Sequence, residues 1–204
     1  MAVAAEIVVV AVVATKGVNM NKDFYKNILS RRTIRKYKQT QVDCESLKLI
    51  AQAGLNAPSA MNQQAWEIAI VTNKEYLEQL NNAVKASLPE AALSRIMSRI
   101  PDGKFSFFYN APALIIVALK DNAIFPQCDC GCAITNMYHA ANSLGLGSCW
   151  INQLSGNISK DEKIRKILNN IGISNDTTVY GCLAVGYADT LPIEKEIKGK
   201  IIMC

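Results

Sequence analysis

The chain has 204 residues, of which 50% are hydrophobic and 19% are charged, as is typical of one soluble globular domain. Its net charge of +5 is spread along the chain, which argues against a nucleic-acid-binding protein and suits a small anionic ligand. The seven cysteines are odd in number and no secretion signal accompanies them, so we predict no disulfide framework and a reducing cytoplasm as the location.

The first nineteen residues differ in composition from the rest. Residues 2–14 are Ala, Val and Ile, interrupted only by Glu6. This run is shorter than the roughly twenty apolar residues that span a bilayer, and it lacks the basic start and cleavage site of a signal peptide. We therefore predict no membrane segment and a working domain over 20–204. Residues 1–19 would be an apolar extension of unclear role, either prone to aggregation or paired with a sheet edge.

A basic stretch, Ser-Arg-Arg-Thr-Ile-Arg-Lys-Tyr-Lys at 30–38, follows a short predicted helix over 23–29. Arginine donates paired, charge-assisted hydrogen bonds to phosphate or carboxylate oxygens. A solvated basic face, or a nucleic-acid or localisation patch, has the same composition. The stretch alone leaves these alternatives open.

Helix and strand patterns alternate through the remainder. The predicted helices are 43–57, capped by Asp43, then 76–88, 91–100, 129–144, ended by Gly145, and one opened by a capping box of Ser159 and Glu162. The predicted strands are 66–72, 113–119, 148–151 and 178–187. The wholly apolar run 113–119 predicts a central strand buried on both faces. This alternation predicts one α/β or α+β domain.

Several chemistries are excluded by what the sequence contains. Its one histidine, His139, cannot form a metal triad or a Ser-His-Asp relay, so we interpret it as structural. Cys128, Cys130 and Cys132 are spaced two apart and cannot all face one ion on a helix. No Walker loop or dinucleotide fingerprint is present. The sequence therefore predicts no metal site.

Five segments in order resemble the FMN-dependent nitroreductase family. They are the basic stretch, Ala-Gly-Leu-Asn-Ala-Pro-Ser-Ala-Met-Asn-Gln-Gln-Ala-Trp at 53–66, Asn-Ala-Pro at 110–112, the segment 136–151 and Val-Gly-Tyr at 185–187. The resemblance extends from Met20 to the C-terminus. It implies an α+β, nitroreductase-like fold with a mainly antiparallel central sheet flanked by helices, and a homodimer with FMN at the interface.

The resemblance also implies a set of flavin-binding residues. They are Arg31, Arg32, Thr33, Arg35, Pro58, Ser59, Ala60, Asn62, Trp150, Ile151, Asn152, Lys195 and Lys198. Residues 31–35 would hold the phosphate, the ribityl chain and the pyrimidine edge. The loop 58–62 would reach the flavin from the other subunit, and 150–152 would lie beside the reactive flavin nitrogen. The two lysines would close on the phosphate, and Asp129 would lie near the flavin ring.

This sequence departs from the family pattern at several of these positions. Ala60 stands where a second serine is frequent and lacks its hydroxyl. Asn152 and Gln153 stand where the family often has two glycines, which would narrow the pocket. Ile197 stands where the family has an arginine, and Lys198 is the candidate to replace that charge.

The implied activity is that of a flavin oxidoreductase. NAD(P)H would reduce FMN and leave, and a nitroaromatic, quinone or similar acceptor would then be reduced in a ping-pong cycle. We predict no catalytic side-chain nucleophile or general base. A dehalogenase or dehydrogenase branch of the same fold, a non-catalytic flavin- or nucleotide-binding protein, and a nucleic-acid binder are alternatives.

Overall fold

The structure is a computed structural model that describes residues 21–98, 104–190 and 195–203. Its strands are β1 (Trp66–Val71), β2 (Ala113–Lys120), β3 (Gly147–Ile151) and β4 (Thr177–Gly186). Its helices are α1 (Lys22–Ser30), α2 (Cys44–Leu55), α3 (Lys74–Ser87), α4 (Glu90–Met97), α5 (Pro126–Ser143) and α6 (Glu162–Ile171). The strands form a four-stranded antiparallel sheet in the order β1-β2-β4-β3. The predicted α+β fold with a mainly antiparallel sheet is confirmed.

The central strand β2 is buried on both faces, as its apolar run predicts. Every residue from 113 to 119 is 0% exposed. Leu114 and Ile116 belong to one core cluster, whereas Ile115 and Val117 belong to another. Because successive side chains of a strand point to opposite faces, the two clusters lie on the two sides of the sheet.

Each face of the sheet is covered by its own helices. Leu47 of α2 and Met137 of α5 join one core cluster, and Leu80 of α3 and Leu168 of α6 join the other. The strand order leaves β3 at one edge of the sheet. The candidate site is formed by the residues that lie along this edge and by those at the end of β3.

The N-cap predicted for α2 is confirmed, and the capping box predicted for α6 is not. Asp43 caps α2 through a 2.8 Å hydrogen bond from the backbone N–H of Ser46 to its Oδ1, as predicted. The predicted capping box of Ser159 and Glu162 is wrong, because the N-cap of α6 is Asp161. Ser159 is fully buried and instead donates from its hydroxyl to the carbonyl of Gly156, at 2.7 Å.

The helix α5 begins at Pro126, earlier than predicted, and ends before Gly145, which has the left-handed φ of +73°. Its early start places the three closely spaced cysteines on helical backbone, where Cys128 is exposed and Cys130 is buried. Within the described ranges, no group of three or more His, Cys, Asp or Glu residues could hold a metal ion.

Some predictions concern residues that the structure does not describe. The apolar extension 1–19 and the last two predicted residues of the helix 91–100 lie outside the described ranges. Among the helices that are described, none combines the length and the apolar character needed to cross a bilayer.

Candidate functional site

The basic stretch lies along the outer edge of β3. Thr33 and Ser148 form a parallel bridge, and the backbone N–H of Ile34 donates to the carbonyl of Ser148 at 2.9 Å. Ile34 is buried, while Thr33 and Arg35 on either side of it are exposed. The structure thus brings the predicted segments 31–35 and 150–152 together.

Gly147 makes this close approach possible. A Cβ atom at this position would lie 2.9 Å from both Cβ and Cγ1 of Ile34. Real Cβ atoms do not pack that closely, and Ile34 is anchored in the core. Any side chain at residue 147 would therefore push the basic stretch away from β3.

Arg31 is held in the site by an aromatic ring. Its guanidinium carbon lies 4.7 Å from the ring centroid of Tyr138, on α5, in a cation–π contact. The Tyr138 hydroxyl accepts a short hydrogen bond from the backbone N–H of Trp150. Burial raises the pKa of Tyr138, although this hydrogen bond opposes the rise. One side chain therefore connects α5, the basic stretch and the end of β3.

The guanidinium of Arg31 has an unused donor. Its Nη1 atom is buried and has no hydrogen-bond partner among the described residues. A buried donor without a partner is costly, and an anion is the strongest partner that a guanidinium can bind. This atom is the clearest mark of a ligand site in the basic stretch.

The other cations of the stretch differ in their surroundings. The Nη1 of Arg32 donates to the carbonyls of Leu29 and Arg31, at 2.6 and 2.9 Å. The exposed Arg35 lies with its guanidinium carbon 5.8 Å from the ring centroid of Tyr109. Arg32 thus stabilises the turn after α1, and Arg35 directs charge toward the segment 104–112.

A cavity of about 500 Å³ borders the end of β3. Its lining residues are Leu88, Ala92, Arg95, Ile96, Ser106, Phe107, Tyr109, Trp150, Asn152 and Gln153. We call it the β3 cavity. It is large enough for a drug-sized ligand. Two of the predicted flavin-binding residues, Trp150 and Asn152, line it together with residues of the helix α4.

The residues at the end of β3 have three different environments. Ile151 is buried, Trp150 is half-buried and Asn152 is exposed. The indole Nε1 of Trp150 is buried without a partner among the described residues. A Cβ at Gly181 would lie 2.8 Å from that nitrogen, so the indole ring packs directly on β4. The backbone of 150–152 is thereby fixed beside the cavity.

The loop that contains Pro58, Ser59, Ala60 and Asn62 is strained. Met61, Asn62 and Gln64 adopt positive φ angles of 50°, 55° and 49°. Each such residue costs about 1–3 kcal/mol, and strain of this kind clusters at functional sites. Pro58 and Asn62 are exposed, and Met61 is 86% exposed.

Asp129 anchors this loop to the first turn of α5. Its Oδ1 accepts the backbone N–H of Ala60 at 3.0 Å, and its Oδ2 is buried without a partner in the described part of the chain. The side chain is 3% exposed. In the structure Asp129 holds the loop 58–62 in place, and its nearness to the flavin ring stays a prediction.

The loop and the basic stretch lie against different parts of α5. The loop contacts Asp129 and the basic stretch contacts Tyr138. The two positions are nine residues apart on the helix, which corresponds to roughly 13 Å along its axis. The two predicted halves of the flavin site are therefore apart within one chain.

The two predicted tail lysines lie on the segment 195–203. Both are exposed, and Lys198 pairs with Glu196 at 3.4 Å. Among the described residues, no hydrogen bond or ion pair links Lys195 or Lys198 to the basic stretch. Their contact with a phosphate stays a prediction.

The buried thiols and the histidine are poor catalysts. Burial raises the pKa of Cys130 to about 12 and also raises the pKa of Cys149 and Cys182. Burial, together with the charge of Arg31, lowers the pKa of His139. The thiols therefore stay protonated and the imidazole stays neutral at pH 7, which leaves no activated nucleophile among these groups.

Comparison with known proteins identifies the family. The model of the Nitroreductase family matches residues 28–187 of this chain, and the chain belongs to that family. A nitroreductase of Bacteroides fragilis solved with bound FMN is 36% identical, with a TM-score of 0.78 over 88% of this chain and 96% of its own. A nitroreductase of Desulfitobacterium hafniense, also with bound FMN, is 27% identical, with a TM-score of 0.79 over 91% of this chain and 100% of its own.

The name of a curated relative includes a nicotinamide cofactor. A protein of Archaeoglobus fulgidus named as an NADH dehydrogenase/NAD(P)H nitroreductase is 29% identical over 165 residues. The match covers 79% of this chain and 83% of the relative.

Tyr138, Tyr109 and Arg95 are site residues that the sequence did not reveal. The two tyrosines stack on arginines that are far away in the sequence, and Arg95 lies on an unremarkable amphipathic helix. No motif marks Tyr109 or Arg95, and Tyr138 lies in the family-like segment 136–151 without having been assigned to the site. The pairing of the basic stretch with β3 accompanies the contacts of the two tyrosines with its arginines, whereas Arg95 lines the β3 cavity from α4.

Proposed function

We propose that this protein is an FMN-dependent oxidoreductase that uses NAD(P)H to reduce a nitroaromatic, a quinone or a similar acceptor. The observation that carries the proposal is the buried, unpaired Nη1 of Arg31, on a stretch that is paired with the end of β3. The FMN in the two related structures supports it.

The residues of the site fit a phosphorylated, planar ligand. Arg31 and Arg35 supply positive charge, and Arg31 supplies an unused buried donor. The β3 cavity, whose lining includes Phe107, Tyr109 and Ile96, supplies aromatic and apolar walls. We assign the phosphate, the ribityl chain and the pyrimidine edge to 31–35, as the resemblance implies.

The chain itself contributes binding and orientation. FMN would supply the two-electron chemistry, accepting hydride from NAD(P)H and passing it to the acceptor. Overall, one NAD(P)H and one proton convert a quinone into a hydroquinone and leave NAD(P)⁺. The cations of the basic stretch would stabilise negative charge that develops beside them. The fixed backbone of 150–152 would define the position of the reacting ring.

One cavity would serve both substrates in turn. The β3 cavity is the one that borders 150–152 in the described part of the chain. NAD(P)⁺ would therefore leave before the acceptor enters, which gives ping-pong kinetics.

We also propose that two chains share each flavin. The loop 58–62 lies away from the basic stretch of its own chain, and its tip, Met61, is exposed. Phe24 and Leu29 of α1 are 59% and 43% exposed, although both are apolar. Exposed apolar surface of this kind is typical of subunit interfaces. A homodimer would cover it and would bring the loop of one chain to the flavin of the other.

The test is the spectrum of the freshly purified protein. We expect a yellow protein that releases FMN on denaturation, bleaches anaerobically with NADH or NADPH, and regains its colour with a quinone. Initial rates at several acceptor concentrations should give parallel double-reciprocal lines, and sedimentation should show a flavin-loaded dimer. A colourless protein that takes up no added FMN would refute the proposal. We keep the cytoplasm as the predicted location.

A further inference from the structure

We propose that the β3 cavity selects acceptors that carry a carboxylate or phosphate group, and that Arg95 binds this group. The inference rests on the proposed flavin function, because the cavity adjoins 150–152, where the resemblance places the reacting ring. It adds a substrate class that neither the family nor the named relatives specify.

Arg95 is placed to act on a ligand and not only on solvent. It lies in the last turn of α4 and lines the β3 cavity. Its guanidinium forms no ion pair and no hydrogen bond with another residue of the described ranges. An exposed arginine on a helix usually faces only water, but here the charge borders a concave space of about 500 Å³ next to the end of β3.

The charge of the cavity has one sign. None of its lining residues within the described ranges is Asp or Glu, and Arg95 is the lining residue with a permanent charge. A second cation is close, because Arg35 lies over the ring of Tyr109, which also lines the cavity. Low-dielectric walls around charges of one sign concentrate ions of the opposite sign. An anionic ligand is therefore favoured over a neutral one of the same shape.

The walls of the cavity favour a flat ring. Phe107 and Tyr109, which belong to the core cluster on this face of the sheet, are its aromatic lining residues, whereas the indole of Trp150 packs on α5 and β4 on the other face. Gln153 accepts the backbone N–H of Asn152 through Oε1 at 3.2 Å, so its amide group keeps donors for a ligand. Aromatic walls, amide donors and one guanidinium together suit an aromatic ring with an anionic substituent.

The primary test compares binding of benzoate and benzamide to the oxidised, flavin-loaded protein. The two ligands share a ring and differ in charge, and calorimetry or the flavin absorbance reports each Kd. We expect Arg95→Gln to weaken benzoate binding by about tenfold, the size of one charge-assisted hydrogen bond at a partly exposed site. Benzamide binding should change by less than about twofold. Lys48→Gln removes the same charge from α2, which packs on the other face of the sheet from the cavity, and should change neither Kd.

A kinetic test follows the same comparison. With NAD(P)H saturating, Arg95→Gln should lower kcat/KM for 4-nitrobenzoate by about tenfold and leave that for 4-nitrobenzamide unchanged. Arg95→Lys should restore part of the loss. Equal losses for both acceptors, or a fall in flavin content, would overturn the inference and assign Arg95 to folding or to the flavin itself.

The two proposals fail in different ways. A yellow wild-type protein that reduces 4-nitrobenzamide as well as 4-nitrobenzoate would overturn the anionic selection and keep the flavin function. A colourless protein would overturn both.

Discussion

The basic stretch and the loop 58–62 are the two halves of the candidate site, and the molecule holds them in different ways. The basic stretch pairs with Ser148 on β3 and inserts Ile34 into the core. The loop has two non-glycine residues with left-handed backbone, at 61 and 62, and a third follows it at 64. It is anchored to α5 by the carboxylate of Asp129.

The difference shows how much tertiary structure supports each half. Moving the basic stretch would disturb the sheet and the core, so its stability is that of the whole domain. The loop could open alone after the loss of a few hydrogen bonds, because segments with few buried contacts open locally. We therefore expect a substitution at β3 to destabilise the whole domain, and a substitution at Asp129 to loosen only the loop.

The largest effect should come from Gly147→Ala. The added methyl group would clash with Ile34, and overpacking of a core typically costs about 1–3 kcal/mol. We expect a lower free energy of unfolding in urea together with loss of bound flavin. Gly131→Ala on α5 is the matched control, because its Cβ would lie at an ordinary 3.6 Å from Trp150. A stable, fully yellow Gly147→Ala protein would show that the basic stretch does not depend on this contact.

Arg31→Ala should remove flavin without unfolding the domain. Loss of the guanidinium removes the buried donor and the stacking on Tyr138, and we expect flavin affinity to fall by about 10- to 100-fold. Flavin content after dialysis against known FMN concentrations measures this. Lys36→Ala is the control, because Lys36 is exposed and pairs with Asp189 at 3.5 Å. Equal affinity losses in both variants would indicate a general charge effect.

Asp129→Ala should have a smaller, local effect. Without its carboxylate, the N–H of Ala60 loses its acceptor, so we expect about tenfold faster hydrogen exchange at Ala60 and Met61. The free energy of unfolding should change little. Asp129→Asn keeps an oxygen acceptor and should restore most of the protection. Unchanged exchange in Asp129→Ala would show that the loop is held by its other contacts.

The smallest effect, a change in how the free energy of unfolding depends on pH, should come from Glu67→Gln, far from the site. Burial alone would raise the pKa of Glu67, but hydrogen bonds from Lys120 and Ser174 lower it below its ordinary value of 4.5. Since the pKa is lower in the folded protein, the stabilisation is complete above about pH 4.5 and is lost as the pH falls through the folded value.

The ion pair between Glu67 and Lys120, at 2.8 Å, is partly exposed, so its contribution should be below about 1 kcal/mol. Urea unfolding at pH 7 and at pH 3.5 measures it. The variant should show a flatter dependence of stability on pH than the wild type, with equal flavin content, and a steeper dependence would contradict the assignment.

Much of the fold could be predicted because its signals are local. The run 113–119 is apolar throughout and Asp43 precedes a helical pattern, so both elements follow from neighbouring residues. The start of α6 was mispredicted for the same reason. Ser159 and Glu162 have the right spacing, but the serine hydroxyl is used by a buried turn and Asp161 takes the capping position.

The site was only partly predictable because its decisive contacts are non-local. The stacking of Arg31 on Tyr138 joins residues that lie more than a hundred positions apart, and no pattern within either segment encodes it. The anchoring of Ala60 by Asp129 has the same character. The family resemblance in the sequence predicted the binding segments. It did not predict the tertiary contacts that hold each segment in place.

The basic stretch also pairs with residues just after β4, and this has a consequence for synthesis on the ribosome. Lys38 donates its N–H to the carbonyl of Tyr187, and Asp189 donates its N–H to the carbonyl of Lys36. Such pairing can form only when both segments have been synthesised. A nascent chain that has not yet been translated through Asp189 therefore lacks the pairing that holds the basic stretch, so the proposed phosphate site cannot be complete before that residue has been synthesised.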